Sequence, residues 1–278
     1  MTRARIALGQ FQATADKAYN LRRMTQLVRE AGPTGAQLVV LPETAMATFD
    51  DPNADRVAHA EPLEGPFVGA LREAAARAHI AVVAGVVESA PAVPGKVYNT
   101  AVAIGQEGEL IGSYRKIHMF DAFGHRESDS SEPGDGDLLL FDLAGVRFGV
   151  AICYDLRFPD LFRALAERGA EVILLPTAWA HGRLKELHLA TLARARAIEN
   201  TVYFAACDQV GGQQSGNSEL IDPMGVRIAG IGETEGLVVG TVDTDRVAEV
   251  RAKLPTLRHI RHDVYGRWRE VPESVPSS

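Results

Sequence analysis

The sequence predicts an α/β fold with two related halves, on two observations. Apolar runs of strand length, bounded by turn-forming residues, occur at residues 37–41, 80–87 and 202–207. Runs of that form are expected where a strand is covered on both faces, and helix-period stretches lie between several of them. The second observation is an internal match. Gly35-Ala36-Gln37-Leu38-Val39-Val40-Leu41-Pro42 and Gly169-Ala170-Glu171-Val172-Ile173-Leu174-Leu175-Pro176 agree in type position by position, each after a helix that ends in glycine. Two copies of one helix-then-strand unit point to a layered α/β architecture.

Taken in order, residues 5–11 read as an opening strand. Asp16 stands as the cap of a helix that carries Leu21, Met24, Leu27 and Val28 on one face, and Gly32-Pro33 ends it. The strand at 37–41 stops at Pro42-Glu43. A helix over 65–79 begins at Pro66 with Val68, Leu71 and Ala75 inside, and a strand over 80–87 follows. Residues 99–105 and 109–116 form a hairpin pattern around Gln106-Glu107-Gly108, ending at Arg115-Lys116-Ile117-His118. Residues 118–137 are polar, rich in Gly, Ser and Asp and without period, which marks a site-lining loop rather than a connector.

Val146, Phe148, Val150 and Ile152 alternate with smaller or polar residues after Gly145, so residues 146–152 read as a strand with Cys153 at its end. Pro159 and Asp160 open a helix with Leu161, Ala164 and Leu165 on its apolar face, and Gly169 closes it. Beyond the second repeat copy come the Thr177-Ala178-Trp179 loop, a long helix over 184–200, the strand at 202–207, a strand and tight turn over 216–225, and a last strand over 236–242. The tail from Leu254 carries Arg258, His259, Arg261, His262, Arg267 and Arg269, and is expected to form a C-terminal arm, 254–278, packed at a subunit interface. No linker composition interrupts the chain, so 1–278 reads as one domain.

Composition narrows the partners. With 278 residues, 46% of them hydrophobic, the chain can bury a full core. A net charge of −7 gives no reason to expect nucleic acid or an anionic membrane, and a small-molecule substrate fits better. Two cysteines, Cys153 and Cys207, make no disulfide framework. The N-terminal apolar run is too short for a signal peptide, and no stretch reaches the length of a membrane span, so the expected compartment is the cytoplasm.

Glu43, Lys116 and Cys153 each come directly after a predicted strand. In α/β sheets, ligands sit outside the carboxyl ends of strands, which would bring the three to one crevice. Only five of the 29 basic residues are lysine, so a lysine at a strand end is notable for its compact point charge. Cys153, above the sheet edge and near a helix N-terminus, is expected to be exposed and biased toward thiolate. The trio suits acyl transfer from an amide: Cys153 attacks the carbonyl carbon, Glu43 takes the thiol proton and passes it to departing ammonia, and Lys116 stabilises the oxyanion with the backbone N–H of Tyr154.

These residues lie in Leu41-Pro42-Glu43, Tyr114-Arg115-Lys116-Ile117-His118, Arg126-Glu127-Ser128 and Gly149-Val150-Ala151-Ile152-Cys153-Tyr154-Asp155-Leu156-Arg157-Phe158, in an order and spacing that resemble the carbon–nitrogen hydrolase (nitrilase) superfamily across nearly the whole chain. The resemblance implies a four-layer αββα sandwich and a Glu-Lys-Cys triad at Glu43, Lys116 and Cys153. It also implies no metal or other cofactor, and a homodimer or larger assembly. Glu127 matches a second family glutamate that orients the lysine or the substrate amide. The Cys-Tyr-Asp-Leu-Arg-Phe run looks like the amidase branch that includes ω-amidases and deaminated-glutathione amidases; N-carbamoyl amino-acid amidohydrolases share its Asp-x-Arg part, and nitrilases resemble it less. A Cys-His hydrolase or a catalytically silent scaffold are the rival readings. For substrate binding, Arg157 reads equally as a partner of a substrate carboxylate or of Asp155 or Asp160. Thr177, Ala178 and Trp179 are candidate pocket residues, Trp179 reading equally as a core aromatic. His118, Asp121 and His125 in the polar loop match no tight metal-ligand spacing.

Overall fold

A computed structural model describes residues 2–48 and 55–268 of the chain. The first half runs β1 (Arg3–Gln10), α1 (Lys17–Ala31), β2 (Leu38–Val40), α2 (Arg56–His59), α3 (Pro66–Ala78), β3 (Ala81–Ser89) and the hairpin β4 (Val97–Ile104) and β5 (Leu110–Arg115). The second half runs β6 (Leu140–Leu143), β7 (Val146–Val150), α4 (Pro159–Glu167), β8 (Val172–Thr177), α5 (Lys185–Asn200) and β9 (Tyr203–Asp208). A small hairpin of β10 (Val210–Gly211) and β11 (Gln214–Ser215) follows, then β12 (Glu219–Ile221), β13 (Arg227–Gly230), β14 (Gly236–Asp243), α6 (Thr244–Lys253) and α7 (His262–Trp268).

The strands form two six-stranded sheets, ordered β14-β1-β2-β3-β4-β5 and β13-β12-β9-β8-β7-β6. In each, three parallel strands are flanked by antiparallel ones. The two copies of the repeated octapeptide become β2 and β8, each the middle strand of its parallel triplet. That position explains their unbroken apolar character. Leu38 and Val40 of β2 face the second sheet in the inter-sheet core, while Val39 turns outward to pack with Met24, Leu27 and Val28 of α1 and Leu71 and Ala75 of α3. Across the interface, Cys207 Sγ of β9 lies 3.1 Å from the carbonyl oxygen of Val40. The outer face of the second sheet is covered by Phe162 and Leu165 of α4 and by Leu189, Ala193 and Ala197 of α5. The layering is helices, sheet, sheet, helices, the αββα sandwich.

Local signals set the element ends. Asp16 caps α1, its carboxylate accepting the Ala18 and Tyr19 N–H groups at 2.8 and 3.1 Å. Leu21 is only partly buried. Asn20 takes the inward place beside it, because its amide bonds to Thr14 and to the Met46 carbonyl. The strand expected at 146–152 ends earlier, at Val150. Helices α2 and α7 and the β10–β11 hairpin are too short to give a period and were not expected; α6 was not expected either, and buries only Val247 and Val250. In the tail, a single turn at Thr256–His259 packs Leu257 on the core, whereas Arg269 and the rest of 269–278 lie outside the described residues. Among the described residues no helix is long and apolar enough to cross a membrane.

Phe204 on β9 is fully buried, 5.7 Å from the Phe162 ring of α4. Phe204→Ala should cost about 3 to 5 kcal/mol, read as a lowered urea midpoint with an unchanged m-value.

Candidate active site

Glu43 follows β2 in a turn whose next residue, Thr44, has a left-handed φ of 46°. The turn lies directly on β3. A Cβ added at Gly85 would fall 2.5 Å from Glu43 Cα and 2.6 Å from both Pro42 O and Thr44 N, so only glycine admits this approach. The carboxylate is held from three sides. Oε1 accepts from Lys116 Nζ at 3.0 Å and Asn99 Nδ2 at 2.8 Å, and Oε2 accepts the Ala178 N–H at 2.9 Å.

Lys116 follows β5, its backbone N–H still bonded to Asn99 O of β4. Its ammonium is 2% exposed and also donates to Glu127 Oε2 at 2.8 Å. Glu127 comes from a short helical turn inside the 118–137 loop and further accepts from Asn99 Nδ2 at 3.0 Å and Phe120 N–H at 2.8 Å. Two donors, Lys116 and Asn99, therefore each bridge the same two carboxylates in a closed ring. Burial works against the charged form of Lys116, yet Glu127 and Glu43 hold its pKa well above the usual lysine value. Burial alone would raise Glu127. The charge and hydrogen bond of Lys116, with Asn99 and the Phe120 N–H, bring it below the ordinary glutamate range. Asn99 was missed in the sequence. The signal was a polar residue in a strand that is otherwise apolar from Ala101 to Ile104.

Cys153 opens a short helical turn, Cys153–Arg157, with a left-handed φ of 42°, a conformation a non-glycine residue adopts only under constraint. Asp155 supplies that constraint. Fully buried, it accepts the Ile152 N–H at 2.9 Å and the Tyr114 hydroxyl at 2.8 Å, and lies 2.7 Å from His118 Nδ1, whose ring stacks on Phe158 at 3.7 Å. The expectation of an exposed, thiolate-biased cysteine is corrected here: Cys153 is only 9% exposed, and α4 begins six positions further on, at Pro159. Burial, then the charge of Glu43, push the thiol well above its usual pKa, against the opposing effects of Lys116 and Thr177. The resting group is a thiol.

Glu43, Asn99, Lys116, Glu127, Cys153 and Tyr154 line one cavity of about 520 Å³. Tyr154 sits at the second position of the Cys153 turn, where a backbone N–H has no partner inside the turn. Arg157 also lines the cavity. Among the described residues it pairs with neither Asp155 nor Asp160, and its guanidinium stands over the Trp179 ring at 4.9 Å. Trp179 is both wall and core, 4% exposed with its indole N–H on Lys185 O at 2.8 Å. Thr177 is fully buried behind the cavity rather than lining it, and Ala178 spends its N–H on Glu43. Arg56, Arg183 and Lys185 complete a cationic mouth around two carboxylates already engaged by Lys116 and Asn99. His118 and Asp121 are taken up by Asp155 and Ser128.

The carbon–nitrogen hydrolase family model matches residues 5–252. The deaminated glutathione amidase of Escherichia coli O157:H7 is 39% identical over 257 residues, spanning 92% of this chain and 97% of that protein. Omega-amidase NIT2 of Homo sapiens is 33% identical over 284 residues, spanning 98% and 100%. Among solved structures, a mutant of the amidase from Nesterenkonia sp. AN1 superposes with a TM-score of 0.81 at 26% identity, covering 96% of this chain and 97% of that one. That structure shows covalent addition of the acetamide moiety of fluoroacetamide at its active-site cysteine.

The lowered pKa of Glu127 has a stability consequence. A depressed carboxylate contributes stability that is present above its unfolded pKa, about 4.3, and is lost as pH falls through the folded value. Unfolding midpoints measured across that acid window should fall more steeply for the native protein than for Glu127→Gln; parallel curves would contradict the ring of contacts as its cause.

Proposed function

The chain belongs to the carbon–nitrogen hydrolase family, and we propose that within it the enzyme hydrolyses a small carboxylate-bearing amide through a thioester on Cys153, releasing ammonia. The observation that carries this reading is the placement of Lys116 Nζ at 3.0 Å from Glu43 and 2.8 Å from Glu127, in the same cavity as Cys153. Because Cys153 rests as a thiol, attack requires a base at hand. Glu43 accepts the thiol proton as Sγ bonds to the carbonyl carbon, and the C=O electron pair becomes an oxyanion. Lys116 has three donors and uses two on carboxylates, so the third meets the oxyanion together with the Tyr154 N–H. Collapse breaks the C–N bond as Glu43 returns the proton to nitrogen. A water, deprotonated by Glu43, then cleaves the thioester to a carboxylic acid and restores the thiol. Glu127 holds Lys116 in place throughout.

The cationic mouth is the reason for assigning a carboxylate to the substrate. Arg157, stacked on Trp179 and free of an acidic partner among the described residues, is its anchor. We read the protein as a single-domain cytoplasmic homo-oligomer. Both cysteines are free and buried, and the described part of the C-terminal arm leaves Leu254 and Tyr265 each 40% exposed for a neighbouring subunit.

An ammonia-release screen over dicarboxylic monoamides, N-carbamoyl amino acids and nitriles, with Cys153→Ala as blank, tests the reading. Turnover of the monoamides is expected, with no activity in the blank. Lys116→Ala should lower kcat on the order of 10² to 10³, as loss of an oxyanion donor does. Ammonia from nitriles alone, or near-normal amide turnover by Lys116→Ala, would overturn it.

A further inference from the structure

The end of β9 carries two consecutive polar residues that the chemistry above does not use. Asp208 is fully buried and pairs in register with Thr177 of β8. Its Oδ1 accepts the Trp179 N–H at 2.7 Å and its Oδ2 accepts from Ser215 Oγ at 2.8 Å, while its own N–H donates to Ser218 Oγ at 2.8 Å. Ser218 is fixed in turn by Gln10 Oε1, at 2.7 Å from its hydroxyl and 2.9 Å from its N–H. Gln209 donates its N–H to Thr177 O at 3.1 Å, and its side-chain Nε2 donates to Glu43 O at 2.8 Å and to Thr44 Oγ1 at 3.3 Å.

These bonds share one geometric result. Ala178 is pinned on both sides, through the carbonyl of Thr177 by Gln209 and through the N–H of Trp179 by Asp208. Its N–H is thereby aimed at Glu43 Oε2, 2.9 Å away. The Gln209 side chain grips the backbone of the same glutamate. Both the carbonyl and the carboxylate of Glu43 are thus referenced to a strand of the opposite sheet. Burying a carboxyl such as Asp208 is unfavourable, and an apolar residue would fill the space at lower cost. The cost of burying it is offset by the two donors it organises, the Trp179 N–H and the Ser215 hydroxyl.

We propose that Asp208 and Gln209 are positioning residues that orient the Glu43 carboxylate through the Thr177–Ala178–Trp179 turn, an assignment that rests on Glu43 being the proton acceptor. Misplacing a reacting group by about 1 Å can cost on the order of 10² in rate. Asp208→Ala and Gln209→Ala should therefore each lower kcat by about 10- to 100-fold with little change in KM. Each should also shift the pH dependence of Cys153 alkylation by iodoacetamide, a readout that loss of packing alone would not move. Asp208→Asn keeps an acceptor for the Trp179 N–H and gains a donor for Ser215 Oγ, which then turns toward Gly216 O, 3.5 Å away. It should recover most of the lost kcat.

Glu43→Gln is the reference. Near-normal turnover by Glu43→Gln would overturn the assignment of the base itself. A silent Glu43→Gln beside a Gln209→Ala protein that keeps its melting temperature, kcat and alkylation profile would overturn the clamp alone. Should Asp208→Ala fail to fold, Gln209→Ala and Asp208→Asn carry the same decision: equal losses in Asp208→Asn and Gln209→Ala with an unshifted alkylation profile would also count against it.

Discussion

One buried ammonium organises this molecule. Lys116 is withdrawn from water, and an isolated charge so placed would be strongly unfavourable. Its charge is tenable because two carboxylates flank it, and the two carboxylates are tenable because the lysine and Asn99 each bridge both. Removing Lys116 would leave two like charges facing each other in a poorly solvated cavity, where breaking one partner of a buried pair typically costs about 3 to 5 kcal/mol. The arrangement is therefore an expensive one, and its value lies in orientation: the ammonium has one donor direction left.

That constraint reaches outward through both sheets. Glu43 and Lys116 stand at strand ends of the first sheet, whereas Cys153 and the Thr177–Trp179 turn stand at strand ends of the second. The reactive cavity belongs to neither sheet. Its geometry depends on how the sheets face each other, which the alternating Leu38 and Val40 side chains fix through the shared core. Gly85 is the local expression of the same dependence, since the Glu43 turn has to lie flat on β3 for its carboxylate to meet Lys116.

Much of this was legible in the chain. The apolar runs at 37–41 and 202–207 gave buried strands, and the repeated octapeptide gave two equivalent ones, because covered strands need no polar face; that each is the middle of a parallel triplet came only with the structure. Residues that follow such strands, Glu43, Lys116 and Cys153, were visible as a set for the same reason. Asn99, Asp208 and Gln209 were not singled out, and Asp155 entered only as a possible partner of Arg157. Each acts through a partner more distant along the chain than any periodicity registers: Asn99 through Glu43 and Glu127, Asp155 through Tyr114 and His118, Gln209 through Glu43 O. The exposure of Cys153 was misjudged because the rule that strand ends are open is local. Here the polar loop, with Phe120 packed against Tyr154, and the Ala178–Lys185 segment close over the strand end.

The closed cavity decides what kind of nucleophile the cysteine is. A thiolate is stabilised by exposure and by nearby positive charge, and Cys153 has little of the first and only part of the second, because Lys116 is already neutralised by two carboxylates. The same contacts that keep Lys116 oriented thus keep Cys153 protonated. A buried thiol is a poor nucleophile until a substrate carbonyl is in place and the proton has somewhere to go. On the proposed mechanism, reactivity then depends on Glu43 standing at the right angle to Sγ, more than on any standing population of thiolate. The strained φ at Cys153, the left-handed Thr44 beside Glu43 and the network around Asp155 lie at the two ends of that proposed transfer. Where proton transfer and bond formation are coupled, the backbone at both ends of the transfer has to be held, and the chain spends its buried hydrogen bonds there.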